Sequence, residues 1–327
     1  MLFVDNQNIT DPRRNLALEE FLLRHVQVEE PILLFYINEP SVIMGRNQNS
    51  AEEIDPDFIK DNGIHVVRRL SGGGAVYHDL GNLNFSFITN AQEDLHNFAK
   101  FTDPVVRVLR ELGVQAELRG KSDIFADGKK ISGNAQYASG GRMFSHGTLL
   151  FDTSIETMLR ALNPRQGQIE SRAVQSVRSF VTNIRELLLV DNNIYQLRQA
   201  LLNGIFGAEP IPTYDLSEAE WAQVGQIAAE RYETWAWNIG RSPKFNRRKD
   251  AQLPVGKIDV RLDVVQGVIE GVKIYGTFFS HRDIFELEKQ LVGVRYEREA
   301  LTAVLDTINL AAYFGDLDKQ TFLELLY

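Results

Sequence analysis

A chain of 327 residues with 44% apolar and 24% charged residues can bury a sizeable core, as one large domain or two of ordinary size. Its net charge of -9 argues against a general nucleic-acid binder, which needs a basic face, and no apolar run approaches the roughly 20 residues that span a bilayer. There is no cysteine, which removes disulfides, thiolate metal sites and every cysteine-nucleophile mechanism.

The opening MLFVDNQNITDPRRN lacks the basic start and apolar core of a secretory signal. Asp11-Pro12 is a cap followed by a first-turn proline, and Leu16, Leu18, Phe21, Leu22 and Val26 continue a helix over about 12–26. The apolar run Ile32–Ile37 has the length of a buried strand, and Glu39-Pro40 turns into another, Ser41–Gly45. Arg46, Asn47, Gln48 and Asn49 then form an ordinary loop or part of a ligand rim. A short helical signal, Pro56–Asn62, precedes a strand at Ile64–Val67.

That strand delivers RRLSGGGAVYHDLGNLNFSF, residues 68–87. Gly72, Gly73 and Gly74 can adopt φ > 0 and lie flat against a ligand, or simply make a hairpin turn. Arg69 before them and His78-Asp79 after them favour a loop that receives a phosphate or carboxylate. Leu83, Phe85 and Phe87 alternate with Asn82, Asn84 and Ser86, which predicts a strand with one wet and one dry face.

Asp103-Pro104 starts a helix that Gly113 stops, and Val114–Leu118 reads as a strand. Asp127-Gly128 is a hairpin signal, followed by Lys129, Lys130 and Ser132-Gly133-Asn134. Either lysine could meet a phosphate, or the tip could be merely solvated; Lys130, next to Ile131 and the small-residue stretch, is the favoured one. Gly120-Lys121-Ser122 imitates the end of a Walker loop, but Gln115 stands where its first glycine belongs.

Met143–Phe151 is a strand carrying His146, and Thr153 with Glu156 reads as a capping box. Arg165–Phe180 is a long polar loop bearing Arg165, Arg172 and Arg178, of the kind that often serves as a lid. Helices are predicted over about 183–189, 192–203 and 217–231, then a strand at Trp235–Ile239. The charged stretch Arg241–Asp250 is the expected domain boundary. Past it, alternation over 257–264, a Gln266-Gly267 turn, a strand Val268–Tyr275 and helices near 283–292 and 297–309 make a small α+β unit with no obvious chemical site.

The six histidines show no HExxH spacing, and no GxSxG elbow exists. What remains is a glycine-rich loop, a hairpin lysine, a strand histidine and an arginine-bearing loop. That set suits holding an acid beside a nucleotide phosphate.

RRLSGGGAVYHDLGN, GKKISGNAQ, SHGTLLFD and SVRSFVTN, with DPRRNLALEEFLL and PSVIMGRNQN earlier and the unit after SPKFN, resemble the lipoate–protein ligase A family in order over essentially the whole chain. The resemblance implies an α+β fold: a catalytic domain with a mixed or antiparallel sheet flanked by helices, residues 1–246, and a small accessory domain, 247–327. It implies that lipoate and ATP, with Mg2+, give lipoyl-adenylate and pyrophosphate, and that a carrier lysine takes the acyl group. Apo lipoyl domains of 2-oxo acid dehydrogenase complexes or the glycine-cleavage H protein would be the carriers, with no nucleic acid or membrane, in the cytoplasm. Carried over by motif, Arg69, Ser71, Gly72, Gly73, Gly74, Lys130 and His146 would hold lipoate. Leu70, Ala75, Val76, Tyr77, His78, Lys130 and Arg178 would hold ATP, with Lys130 catalytic and Asp123 a metal ligand. Tyr137 departs from family members that have arginine there, so any contribution of that arginine must come from elsewhere. Octanoyltransferases of the same superfamily need a cysteine, and biotin ligases a GRGRxG-type loop; both are absent. A non-catalytic lipoate-binding paralogue, or one competent only in transfer, is the alternative that keeps the fold.

Overall fold

A computed structural model describes residues 1–48, 53–162, 180–207, 210–239, 247–265 and 267–327. In chain order the strands are β1 (Leu2–Asp5), β2 (Ile32–Ile37), β3 (Ser41–Met44), β4 (His65–Arg68), β5 (Val76–His78), β6 (Asn82–Thr89), β7 (Ala116–Arg119), β8 (Asp123–Ala126), β9 (Lys129–Ser139), β10 (Arg142–Leu150), β11 (Arg247–Leu253), β12 (Gly256–Val265) and β13 (Val268–Gly276). The helices are α1 (Pro12–Arg24), α2 (Pro56–Asp61), α3 (Phe98–Glu111), α4 (Ile155–Ala161), α5 (Ile194–Phe206), α6 (Glu218–Ile227), α7 (Trp235–Asn238), α8 (Ile284–Leu291), α9 (Arg298–Leu305), α10 (Ala311–Phe314) and α11 (Lys319–Leu326).

Seven strands form one sheet, β1-β2-β6-β10-β9-β8-β7, antiparallel except for the β1–β2 pair. A small sheet, β4-β3-β5, stands apart from it, and β11-β12-β13 form a third. One face of the large sheet packs Leu33, Phe35 and Phe85 against α3 and α5. Its other face packs Ile32, Leu34 and Phe144 against α1, through Leu18, Phe21 and Leu22. A sheet covered on both sides has no wet face. That overturns the expectation for β6: Asn82, Asn84 and Ser86 are buried like Leu83, Phe85 and Phe87, and their polar face is interior.

Local chemistry fixes most element ends. Asp11 caps α1 by accepting from the Arg13 N–H, with Pro12 in the first turn. Asp127 (φ 49°) and Gly128 (φ 77°) both take left-handed backbone, as the hairpin signal predicts. Ser217 and Glu220 close a reciprocal capping box on α6.

Elsewhere the boundaries moved. Asn97 caps α3, so Pro104 lies inside the helix instead of starting it. Ser154, not Thr153, caps α4. The stretch after Asn183 is a short 3-10 turn, Ile184–Leu187. Residues 235–239 form α7, capped by Thr234, where a strand was expected. The far half of the expected linker is β11, paired along its length with β12, while residues 240–246 lie outside the described residues. Residues 258–326 supply a separate core around Ile258, Phe278, Leu287 and Phe322.

Candidate functional site

Between the large sheet, the small sheet and α1 lies a cavity of about 220 Å³. Leu16, Tyr36 and Ile43 give it an apolar wall; Arg69, His78, Lys130, Asn134 and His146 supply its polar groups.

The glycine-rich loop is one wall, and its geometry differs glycine by glycine. Gly73 has φ 90°, where side chains strain. A Cβ on Gly72 would meet the Phe278 carbonyl oxygen at 2.3 Å, whereas one on Gly74 would meet nothing within 4 Å. The loop is drawn around Arg69. That guanidinium donates through Nε to Ser71 Oγ (2.9 Å), through Nη1 to the Ile43 carbonyl (3.0 Å), and through Nη2 to the Gly72 (2.6 Å) and Gly74 (2.8 Å) carbonyls. Burial lowers its pKa to about 10, opposed by Tyr36 and Glu19, so it stays cationic at neutral pH. Arg69 lines the cavity, but most of its donors are spent on the loop.

A second chain of contacts starts from Ser71. Its Oγ accepts from Arg69 Nε and lies in hydrogen-bond contact with His146 Nε2 at 2.8 Å. His146 Nδ1 then donates to the Glu19 carboxylate at 2.9 Å. Glu19 sits on α1 and is 2% exposed, so this relay lies wholly inside the protein. The sequence held one hint: a carboxylate in LALEEFLL falls within the apolar run.

Lys130 is built differently. Its backbone pairs with the chain after the long loop: its N–H donates to the Phe180 carbonyl (2.7 Å) and its carbonyl accepts from the Thr182 N–H (3.1 Å). The β8–β9 ladder pairs Phe125 with Lys130 but Ile124 with Ser132, leaving Ile131 as one extra residue. A one-residue bulge reverses the alternation of faces. Lys130 therefore points to the same side as Gly133, whose Cβ position lies 3.4 Å from Lys130 Nζ, while Ile131 enters the core. Lys130 Nζ pairs with Asp123 Oδ2 at 2.8 Å, and both side chains are about one-third exposed (37% and 33%).

His78, on β5, is buried and lines the cavity. Burial, together with Arg69 and His146, pushes its pKa down to about 3. Ala75 and Val76 line the cavity beside it. Leu70 and Tyr77 do not: Leu70 packs in the α1-side core and Tyr77 in the core of the small sheet. Burial raises the Tyr77 pKa to about 12. Ser71 and Gly72 stand behind the wall. Arg178 and the loop 163–179 lie outside the described residues.

The C-terminal unit reaches this site, which its sequence did not suggest. Phe279 lines the cavity, the Gly276 N–H donates to the Asn47 carbonyl (2.6 Å), and Asp283 pairs with Arg46 Nη2 (2.8 Å). Arg46 in turn lies 5.7 Å from the Tyr137 ring centroid, so a cation stands beside that ring. Gly147 was also missed: a Cβ there would strike Asn134 Oδ1 at 1.9 Å, at the cavity floor.

Among the described residues no group of three or more histidines, aspartates or glutamates is arranged to hold a metal. Among the described residues a single carboxylate, Asp123, lines the cavity. That suits a magnesium ion held mainly by substrate phosphates, since such ions commonly take only one or two protein carboxylates.

Two family models match: the lipoyl protein ligase A/B catalytic domain over residues 11–206 and the bacterial lipoate protein ligase C-terminus over 242–326. The lipoate-protein ligase LplJ of Bacillus subtilis is 53% identical over 331 residues, covering 100% of both chains. A lipoate-protein ligase A solved with bound ATP is 33% identical, with a TM-score of 0.61 over 73% of this chain and 97% of its own. The bipartite lipoate protein ligase of Thermoplasma acidophilum, solved in a study of that ligase and its E2 lipoyl domain, is 31% identical, with a TM-score of 0.66 over 75% of this chain and 98% of its own.

Proposed function

The chain belongs to the lipoate–protein ligase family, and we propose that it activates free lipoate with ATP and passes the lipoyl group to a lysine of a carrier domain. The observation that carries this reading is one cavity that joins an apolar wall to a reachable lysine. A carboxylate is a poor electrophile at neutral pH. In the first step its oxygen attacks the α-phosphorus of ATP, the bond to the β-phosphate breaks, and lipoyl-AMP and pyrophosphate result. In the second, a carrier amine attacks the acyl carbon, AMP leaves with the bonding electrons, and an amide remains.

Lys130 suits the first step because both reactants are anions that must lie side by side. Its partner Asp123 holds the ammonium until a ligand oxygen replaces the carboxylate, and offers a magnesium ion one ligand. Bound magnesium would neutralise the phosphates; Lys130 and the glycine loop would position them. Leu16, Tyr36 and Ile43 would receive the acyl chain, with His146 beside it. Ala75, Val76 and His78 stand on the nucleotide side in this reading, and Arg178 on the adenylate-covering loop.

The reading divides the chain into a catalytic unit, 1–246, and an accessory unit, 247–327, whose Phe279 helps to close the acyl pocket. The carriers are apo lipoyl domains of 2-oxo acid dehydrogenases or the H protein, and the role is salvage of free lipoate in the cytoplasm. No helix among the described residues is long and apolar enough to cross a membrane. The test incubates the protein with lipoate, Mg-ATP and an apo lipoyl domain and weighs the carrier. A lipoyl adduct that requires ATP is expected. Transfer only from preformed lipoyl-adenylate would point to a transferase, and no lipoate binding would overturn the reading.

A further inference from the structure

We propose that Asn6, Asn15 and Asn38 form a one-way hydrogen-bond relay that holds His78 as its Nε2–H tautomer and so presents an uncharged donor to an anionic oxygen of the ligand. The inference rests on the proposed acyl-adenylating site and adds positioning residues to it.

The direction of the relay follows from backbone carbonyls, which can only accept. Asn15 Nδ2 faces the Ile9 carbonyl at 2.8 Å, so that atom must be the amide nitrogen. Asn6 Nδ2 is fixed in the same way by the Ile9 carbonyl at 2.9 Å, and it donates to Asn15 Oδ1 at 3.0 Å. With Asn15 oriented, its Nδ2 donates to Asn38 Oδ1 at 2.9 Å. Asn38 therefore turns its own nitrogen to His78 Nδ1, 3.0 Å away. An imidazole nitrogen that accepts carries no proton, so the proton of the neutral ring sits on Nε2.

All four side chains are at most 3% exposed, which lets no water scramble the pattern. His78 Nε2 is buried and has no partner among the described residues, although the ring lines the cavity. A buried donor left unpaired costs about 1–3 kcal/mol, so an acceptor is required. The cavity's other histidine shows the contrast. Both nitrogens of His146 are spent on Ser71 and Glu19, so His78 alone keeps a ring donor to give. A neutral donor beside Arg69 adds transition-state stabilisation without crowding a third charge into the site.

The acceptor is an oxygen of the acid's carboxylate or of the α-phosphate, and the experiment separates the two. In the ligand-free protein, long-range 1H–15N NMR of the His78 ring reads the tautomer with no assumption about substrate. A protonated Nε2 and bare Nδ1 are expected; a protonated Nδ1 would overturn the relay. Lipoate alone and Mg-ATP alone are then added. A downfield move of the Nε2 proton with the first identifies the carboxylate, and with the second the phosphate. No move with either, or with both together, would overturn the donor role while leaving lipoate ligation open.

Asn38→Asp forces Nδ1 to carry a proton and should weaken the ligand that moves the signal by about 10- to 100-fold, leaving the other within about 2-fold. Should that variant fold poorly, His78→Gln, whose amide reaches the Nε2 position, should bind within about 5-fold of the parent, while His78→Leu should lose the full factor. Equal behaviour of Gln and Leu would refute the proposal.

Discussion

Two cations face the same cavity and are built in opposite ways. Arg69 is 6% exposed and gives four hydrogen bonds to its own surroundings, three of them to backbone carbonyls. Lys130 is one-third exposed and holds one carboxylate. A guanidinium has a rigid fork of donors that can organise several oxygens at once, whereas an ammonium is a point charge on a flexible stem. The comparison teaches that a charge in a site is available to a ligand only to the extent that the fold has not already used it. Arg69 shapes the loop; Lys130 can change partners.

The sharpest way to break this comparison is to truncate each cation and read activity and stability together. Lys130→Ala should lower adenylate formation by about 1,000-fold or more, because a fixed charge at the reacting anions is lost. Its unfolding free energy should stay within about 0.5 kcal/mol of the parent, as expected of a partly exposed side chain whose ion pair is open to solvent. Pyrophosphate release and chemical denaturation measure the two; near-normal pyrophosphate release would sink the assignment of Lys130. Arg69→Met should show the opposite balance. It strands the Ile43, Gly72 and Gly74 carbonyls and should cost about 3 kcal/mol of stability. Activity should fall in step with the loosened loop, and an unchanged denaturation midpoint would show that Arg69 serves the ligand only.

Per pH unit, the smallest effect is an acid slope belonging to the buried half of the site. His78 titrates near 3 when folded and near 6.5 when unfolded. Between those values the unfolded chain binds a proton that the folded chain refuses. Stability should therefore be flat in this term above pH 6.5 and fall as pH drops towards 3, by up to about 1.4 kcal/mol per unit. His96 acts in the same direction, through burial and through His281 and Lys121. Denaturation midpoints between pH 7 and 4 should show a shallower slope in His78→Gln than in the parent.

Much of the fold was legible because its signals are local. Asp11-Pro12, Asp127-Gly128 and the Ser217/Glu220 pair each set backbone geometry within a few residues, and all three ended up where the pattern put them. Alternation in β6 correctly announced a strand, yet it could not say what covers the polar face. Three asparagine and serine side chains look wet until the rest of the fold buries them. The 235–239 stretch failed for a related reason. Trp237 and Asn238 are held by Arg68, which donates to both of their carbonyls, some 170 positions away in sequence.

The sequence by itself determined the family pattern, the glycine loop, the hairpin that presents Lys130 and the absence of any cysteine chemistry. Those depend on residue type and short spacing. Only the tertiary structure decided which groups remain free. The bulge at Ile131 turns Lys130 towards Gly133, and three carbonyls from two segments consume Arg69. Glu19 is brought beside His146 from 127 positions away, and Phe279 comes from the other unit to line the cavity. Hydrogen-bond capacity is exhausted by whichever partners packing supplies, and packing joins segments that no local pattern connects.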